Sequence, residues 1–150
     1  MNDAVDGMSP WFSLWFPIVF VGGWLAVCAI LAEISGWPRL ARRYPTVGRP
    51  DGLRVFGQVV AFGLVSENNV TGLVLSSEGL YLYAWLLFRV RRDPMLIPWR
   101  DVEFLSERRI LWSRRYALKL GGTTTLWIKE RAFKAMSPYL QTSHAGTGTP

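Results

Sequence analysis

The side chains that carry most enzyme chemistry are scarce in this chain. It holds one cysteine, Cys28, and one histidine, His144, and two such residues cannot complete a tetrahedral metal site. His144 falls in a C-terminal stretch rich in Gly, Ser and Thr, where nothing is expected to hold an imidazole against a nucleophile. Asp101, Glu103 and Glu107 lie close together, but strand alternation and turn chemistry read them as solvated acids. Acid–base work would need them in one shared pocket. Gly57, Gly63, Gly121 and Gly122 match neither a phosphate-cradling loop nor a dinucleotide fingerprint. The reading is a non-enzymatic protein with no cofactor and no metal.

Charge is the more informative chemistry. All 17 Lys and Arg residues lie from Arg39 onward, so residues 37–150 carry a net +9 and residues 1–36 a net −3. Positive surfaces seek nucleic acid or anionic lipid. The short pairs Arg91-Arg92, Arg108-Arg109 and Arg114-Arg115 belong to no nucleic-acid motif and suit solvated hairpin ends, so nucleic acid is not an expected partner. Arg39, Arg42 and Arg43 directly follow an apolar segment and are the candidates for contact with anionic head groups.

That apolar segment must position everything else. From Met8 to Ala32 no side chain ionises except Cys28. Leu14–Ala32 is 19 residues long, roughly 28 Å as a helix at about 1.5 Å per residue, against a hydrocarbon layer about 30 Å thick. Its ten Leu, Ile, Phe and Val residues contribute roughly −3 to −6 kcal/mol to insertion. Pro17 near its start is tolerable in a membrane helix. Acidic residues precede the segment and arginines follow it. The positive-inside rule therefore predicts the N-terminus outside and the C-terminal part in the cytoplasm, under a bacterial inner membrane. Trp11, Trp15 and Trp37 fit aromatic belts at the two interfaces.

Two processing alternatives fit poorly. A cleaved signal peptide wants a positive start, and this one is acidic. The stretch Leu25-Ala26-Val27-Cys28 has a bulky Val27 and continues as apolar chain, unlike a lipid-attachment site. Cys28 reads as a small apolar helix residue, and a lone cysteine excludes an internal disulfide.

The remaining residues suffice for one domain. We expect a polar N-terminus over 1–10, the membrane helix over 11–35, and a juxtamembrane helix and linker over 36–52. A β domain over 53–140 and a disordered tail over 141–150 would follow. Ser35-Gly36 breaks the first helix and Pro38 suits the first turn of a second. Leu40 and Tyr44 share one face of that turn, which predicts an amphipathic segment where lipid meets water.

From Leu53 the periodicity changes to two, predicting strands over 55–65, 70–76, 80–88, 95–97, 102–105, 110–113, 116–120 and 123–128. Breaks fall at Glu67-Asn68-Asn69, Ser77-Glu78-Gly79 and Gly121-Gly122. Leu80–Phe88 is too short to cross a membrane as a helix and is expected as one buried strand. Phe133, Met136 and Leu140 then share a helical face. The predicted fold is α+β: one membrane helix, then a small antiparallel β-barrel or curled sheet closed by a C-terminal helix. Pro98 should end a strand, Trp99 should fold under the sheet, and Asp101 should accept backbone N–H groups in the turn. The functional alternative makes Trp99 and Arg100, with Arg91 and Arg92, the rim of a ligand site.

Certain residues also resemble a known group. Trp37, Leu40-Ala41, Tyr44, Gly79-Leu80-Tyr81-Leu82, Phe88-Arg89, Pro94–Trp99 and Asp101-Val102 resemble uncharacterised bacterial single-span membrane proteins. Their cytoplasmic part is similar to pleckstrin-homology-like or GRAM-like domains. The resemblance covers about residues 35–140 and implies a PH-like fold, with no catalytic residues to carry over and no agreed ligand. Two functions fit these readings. One is a membrane-tethered adaptor binding anionic head groups or a partner protein, with Trp37, Arg39, Arg42 and Arg43 at the leaflet. The other is a subunit or neutralising, immunity-type protein that binds one specific protein.

Overall fold

A computed structural model describes residues 10–66 and 70–145. The expected Glu67-Asn68-Asn69 break, the polar head through residue 9 and the last residues of the expected tail, 146–150, lie outside them. Helix α1 runs Pro10–Ser35, and its most apolar 18-residue window has a mean hydropathy of 2.2 and is almost wholly exposed. It is long and apolar enough to cross a membrane, a length and composition that a signal sequence near an N-terminus also shows. Gly36 adopts a left-handed φ of 79° and separates α1 from α2, Trp37–Arg43, which has Pro38 in its first turn. Glycine tolerates that conformation, so the expected break forms where Ser35-Gly36 predicts it.

Nine strands follow among the described residues, all paired antiparallel. β1 (Leu53–Val55), β4 (Thr71–Leu75), β5 (Gly79–Ala84) and β6 (Met95–Pro98) form one sheet in the order β1-β4-β5-β6. β3 (Val65–Ser66), β2 (Val59–Phe62), β9 (Thr124–Lys129), β8 (Ser113–Leu120) and β7 (Val102–Ile110) form the other in the order β3-β2-β9-β8-β7. The sheets share one core, with Phe62, Leu73, Leu80, Leu118 and Leu126 buried in it. α3, Glu130–Ala145, packs on β8 and β9 through Ala132, Met136 and Leu140. Phe133 stacks on Tyr116 beside that face, with ring centres 4.1 Å apart.

The architecture is α+β with two sheets and no closed barrel. The seam stays open because consecutive strands β6 and β7 belong to different sheets. Pro98 ends β6 and the 3-10 turn Trp99–Asp101 swings the chain away before β7 can pair with it. α3 covers the gap: Tyr139 stacks on Trp99 at 5.0 Å, and the Trp99 indole N–H donates to the Ser76 carbonyl at 2.8 Å.

The expected elements differ in four places. The strand expected over 55–65 is three short ones, because Gly57 at φ 65° and Gly63 at φ 60° turn the chain between them, and β1 joins a different sheet from β2 and β3. The strand predicted over 80–88 stops at Ala84, because its ladder partner β4 begins opposite it at Thr71. Trp85, Leu86 and Leu87 are then exposed by 57, 81 and 62% instead of buried, and 86–88 form a 3-10 turn. The strands expected over 102–105 and 110–113 are one long strand β7 and a tight turn at Leu111-Trp112. The helix α3 continues through Ala145, five residues into the segment expected to be disordered.

Candidate membrane-facing site

The last third of α1 is gripped by the β domain. Cys28, Ala32 and Ser35 are buried on one face of the helix, and their small size lets other backbone approach. Gly63, at φ 60°, sits against the end of α1, where an added Cβ would lie 2.4 Å from the Ser35 carbonyl oxygen. Further up the helix, Trp24 meets Phe88 with ring centres 5.4 Å apart and donates its indole N–H to the Leu87 carbonyl at 3.3 Å. Glu33 pairs with Arg91. These contacts span Trp24 to Ser35, roughly 16 Å of helix at about 1.5 Å per residue.

One end of the domain thereby packs along one face of the helix. Its loops are the β2–β3 turn with Leu64, the β8–β9 turn at Gly121-Gly122, and the segment 85–92 that joins β5 to β6. A cleft of about 440 Å³ opens between the end of α1, α2 and the first two of these turns. Arg39, Arg43 and the Thr123–Thr125 run line it. Arg43 donates to the Gly121 carbonyl at 2.8 Å and lies over the Tyr44 ring. A second cleft, of about 530 Å³, lies on the outer face of β5. There Arg49 sits 4.8 Å from the centre of the Tyr83 ring, with Arg89, Trp85 and Leu86 beside it. Exposed guanidinium groups above aromatic faces are suited to phosphate and carboxylate. Among the described residues, no group of three His, Cys, Asp or Glu side chains could hold a metal ion.

The residues singled out from sequence divide sharply. Arg39, Arg42 and Arg43 are exposed on α2, with Arg42 Nε bonded to the Pro38 carbonyl at 3.2 Å. Trp37, expected at the lipid interface, is instead 0% exposed. Its ring lies 4.7 Å from Phe62 and its indole donates to the Asp93 carbonyl at 2.9 Å. Leu40 and Ala41 are buried with it, so the apolar face of α2 turns into the domain and not toward lipid. Of the ligand-rim candidates, Trp99 is core, Arg92 is buried with its guanidinium 5.4 Å from the Trp37 ring, and Arg91 is engaged by Glu33. Arg100 remains exposed on its turn. Asp101 accepts from the Tyr44 hydroxyl at 2.9 Å, and its own carbonyl accepts the Gly121 N–H at 2.9 Å. Its carboxylate therefore ties α2 to the turn before β7, in place of the local role expected. Burial first, and the Asp101 hydrogen bond second, push the Tyr44 phenol above its ordinary pKa.

Sequence reasoning missed Arg49, Arg89 and the Trp85–Phe88 loop. The available signal was the loss of alternation in Trp85-Leu86-Leu87-Phe88, four consecutive apolar residues next to an arginine. No family model, curated protein or solved structure matches this chain.

Proposed function

We propose that this chain is a membrane-anchored, non-enzymatic adaptor whose β domain binds anionic lipid head groups at the leaflet where α1 emerges. In this reading α1 spans a bacterial inner membrane, with the N-terminus outside and the PH-like domain in the cytoplasm. The observation that carries it is the set of exposed arginines on the two elements that adjoin α1: Arg39, Arg42 and Arg43 on α2, and Arg89 next to Phe88. Each well-placed cation near an anionic surface contributes about 1 kcal/mol. The packing of Cys28, Ala32 and Ser35 into the domain supports an uncleaved anchor over a signal sequence, since cleavage before the domain would strip away part of its own packing.

Native mass spectrometry of the full chain in mild detergent tests this reading. With phosphatidylglycerol and phosphatidylcholine added together, phosphatidylglycerol adducts should dominate and should fall in the Arg39→Gln/Arg42→Gln/Arg43→Gln variant. Equal retention of both lipids would remove the head-group role.

A second reading, a subunit or neutralising protein for one specific protein partner, is favoured by the β7–β8 hairpin. β8 ends beside α2 and begins seven residues earlier, so its far end lies on the order of 23 Å from α2 at about 3.3 Å per residue. Leu111 and Trp112 at that tip are 82 and 96% exposed, and exposed aromatics flanked by arginine are common binding anchors. Crosslinking from position 112 in native membranes distinguishes this role: one stoichiometric product supports it, and none opposes it.

A further inference from the structure

The Trp85–Phe88 loop has a composition and a position that a soluble face does not explain. Three consecutive large apolar side chains are exposed there. The backbone is bonded in place: the Trp85 N–H donates to the Val70 carbonyl at 3.0 Å and the Phe88 N–H to the Trp85 carbonyl at 2.9 Å. The Leu87 carbonyl accepts from Trp24. Backbone polar groups at membrane depth need protein partners, and these bonds supply them for the Trp85 and Phe88 N–H groups and the Leu87 carbonyl.

The level of the loop along α1 is what decides. α1 has 26 residues, about 39 Å at about 1.5 Å per residue, longer than a hydrocarbon layer of about 30 Å. Glu33 is the first charged residue of the helix, and it pairs with Arg91, so this pair marks the polar edge. Trp24, beside Leu87 and Phe88, lies nine residues deeper, about 13 Å along the axis. The head-group layer on each side is only about 5–7 Å thick. A bilayer placed on α1 therefore covers the loop as well.

We propose that Trp85–Phe88 is a second membrane-inserting element, dipping beside α1 into the acyl region of the same leaflet. The inference rests on α1 being a membrane span. Its occupant is the bilayer itself, because the loop's apolar surface is continuous with the exposed apolar face of α1 at Trp24. Arg89 follows immediately and is exposed, a long basic side chain of the kind that serves head groups at a membrane edge, while Arg91 pairs with Glu33 beside it. The domain is thus held at two points and cannot swing about the Ser35-Gly36 junction.

Depth-resolved quenching tests this in the full chain. Cys28 is the sole cysteine, so single cysteines at Leu86, Ile18 or Trp112 in a Cys28→Ser background can carry an environment-sensitive fluorophore. The protein is reconstituted in vesicles of phosphatidylcholine and phosphatidylglycerol containing lipid spin-labelled both high on its acyl chain and near the chain's end, so that every depth of the hydrocarbon layer is reached. All three positions are exposed, so labelling leaves the packing intact. The fluorophore at 86 should emit blue-shifted light and lose emission as the one at 18 does, while the one at 112 keeps its emission. Emission at 86 matching that at 112, with 18 quenched, would overturn the inserting loop and leave the anchor standing. Emission unquenched at both 18 and 86 would overturn the anchor, and the loop with it.

Discussion

Replacing Trp37 by alanine separates two opposed placements of one residue. In an aromatic belt, the indole would stabilise membrane placement and contribute nothing to the fold of the β domain. In the structure it is fully buried, packed on Phe62 at 4.7 Å, capped by Arg92 at 5.4 Å and bonded to the Asp93 carbonyl at 2.9 Å. Truncating a buried Trp to Ala costs about 3–5 kcal/mol through lost transfer energy and the cavity left behind. The lost hydrogen bond adds about 1 kcal/mol, and little more, because Asp93 is at the surface and its carbonyl can be rehydrated. Against a domain stability of about 5–15 kcal/mol, the loss removes between about a quarter and all of the stability. Trp37→Phe keeps most of the ring packing and should lose only about 1–2 kcal/mol. Pulse proteolysis of the full chain in mild detergent across a urea series reads both, with the apolar α1 covered by detergent. A Trp37→Ala midpoint within about 1 kcal/mol of the parent would refute the burial and return the residue to the interface.

Further perturbations examine the junction and the closing turn. Gly63→Ala must place a methyl group 2.4 Å from the Ser35 carbonyl at a positive φ. A left-handed conformation alone costs a non-glycine residue roughly 1–2 kcal/mol, so proteolysis between α1 and α2 should accelerate. Trp99→Phe removes the indole bond to Ser76 and should cost about 1–3 kcal/mol in the same urea series. Tyr44 has a folded-state pKa raised above its unfolded value. Its contribution is therefore complete below the ordinary phenol pKa and is lost as pH rises through the raised one. Tyr44→Phe should accordingly be destabilising at neutral pH, by a margin that shrinks above about pH 10; a margin that grew with pH would contradict the bond to Asp101. Trp112→Ala should leave stability within about 0.5 kcal/mol while removing any crosslink formed at the hairpin tip.

Much of the fold was legible because its signals are local. The apolar run of α1, the Ser35-Gly36 break, Pro38 in the first turn of α2 and the glycine turn at Gly121-Gly122 each act within a few residues. Pro98 and Trp99 behave as their chemistry requires, with the strand ended and the ring beneath the sheet. What was not legible depends on distant partners. Nothing near Ala84 says that β4 runs out opposite it, so an apolar strand could be read through to Phe88. Leu111-Trp112 lacks the glycine or asparagine that usually marks a tight hairpin, and Leu111 adopts a positive φ of 53° without one. Trp37 beside a long apolar helix has the composition of a belt residue, and only the arrival of Phe62 and Asp93 from later in the chain buries it. The same limit governed the candidate site: Arg39, Arg42 and Arg43 were visible as a cluster, whereas Arg49 and Arg89 come to line one cleft only once β5 has formed.

Membrane topology of the full chain tests the central claim most directly. In a Cys28→Ser background, single cysteines at Asn2 and Trp112 are exposed to a membrane-impermeant maleimide in intact spheroplasts. Labelling at 2 and protection at 112 until the membrane is permeabilised is the expected pattern. Labelling at 112 in intact spheroplasts, or recovery of the protein in the soluble fraction, would contradict an α1 that crosses the bilayer with the basic domain inside.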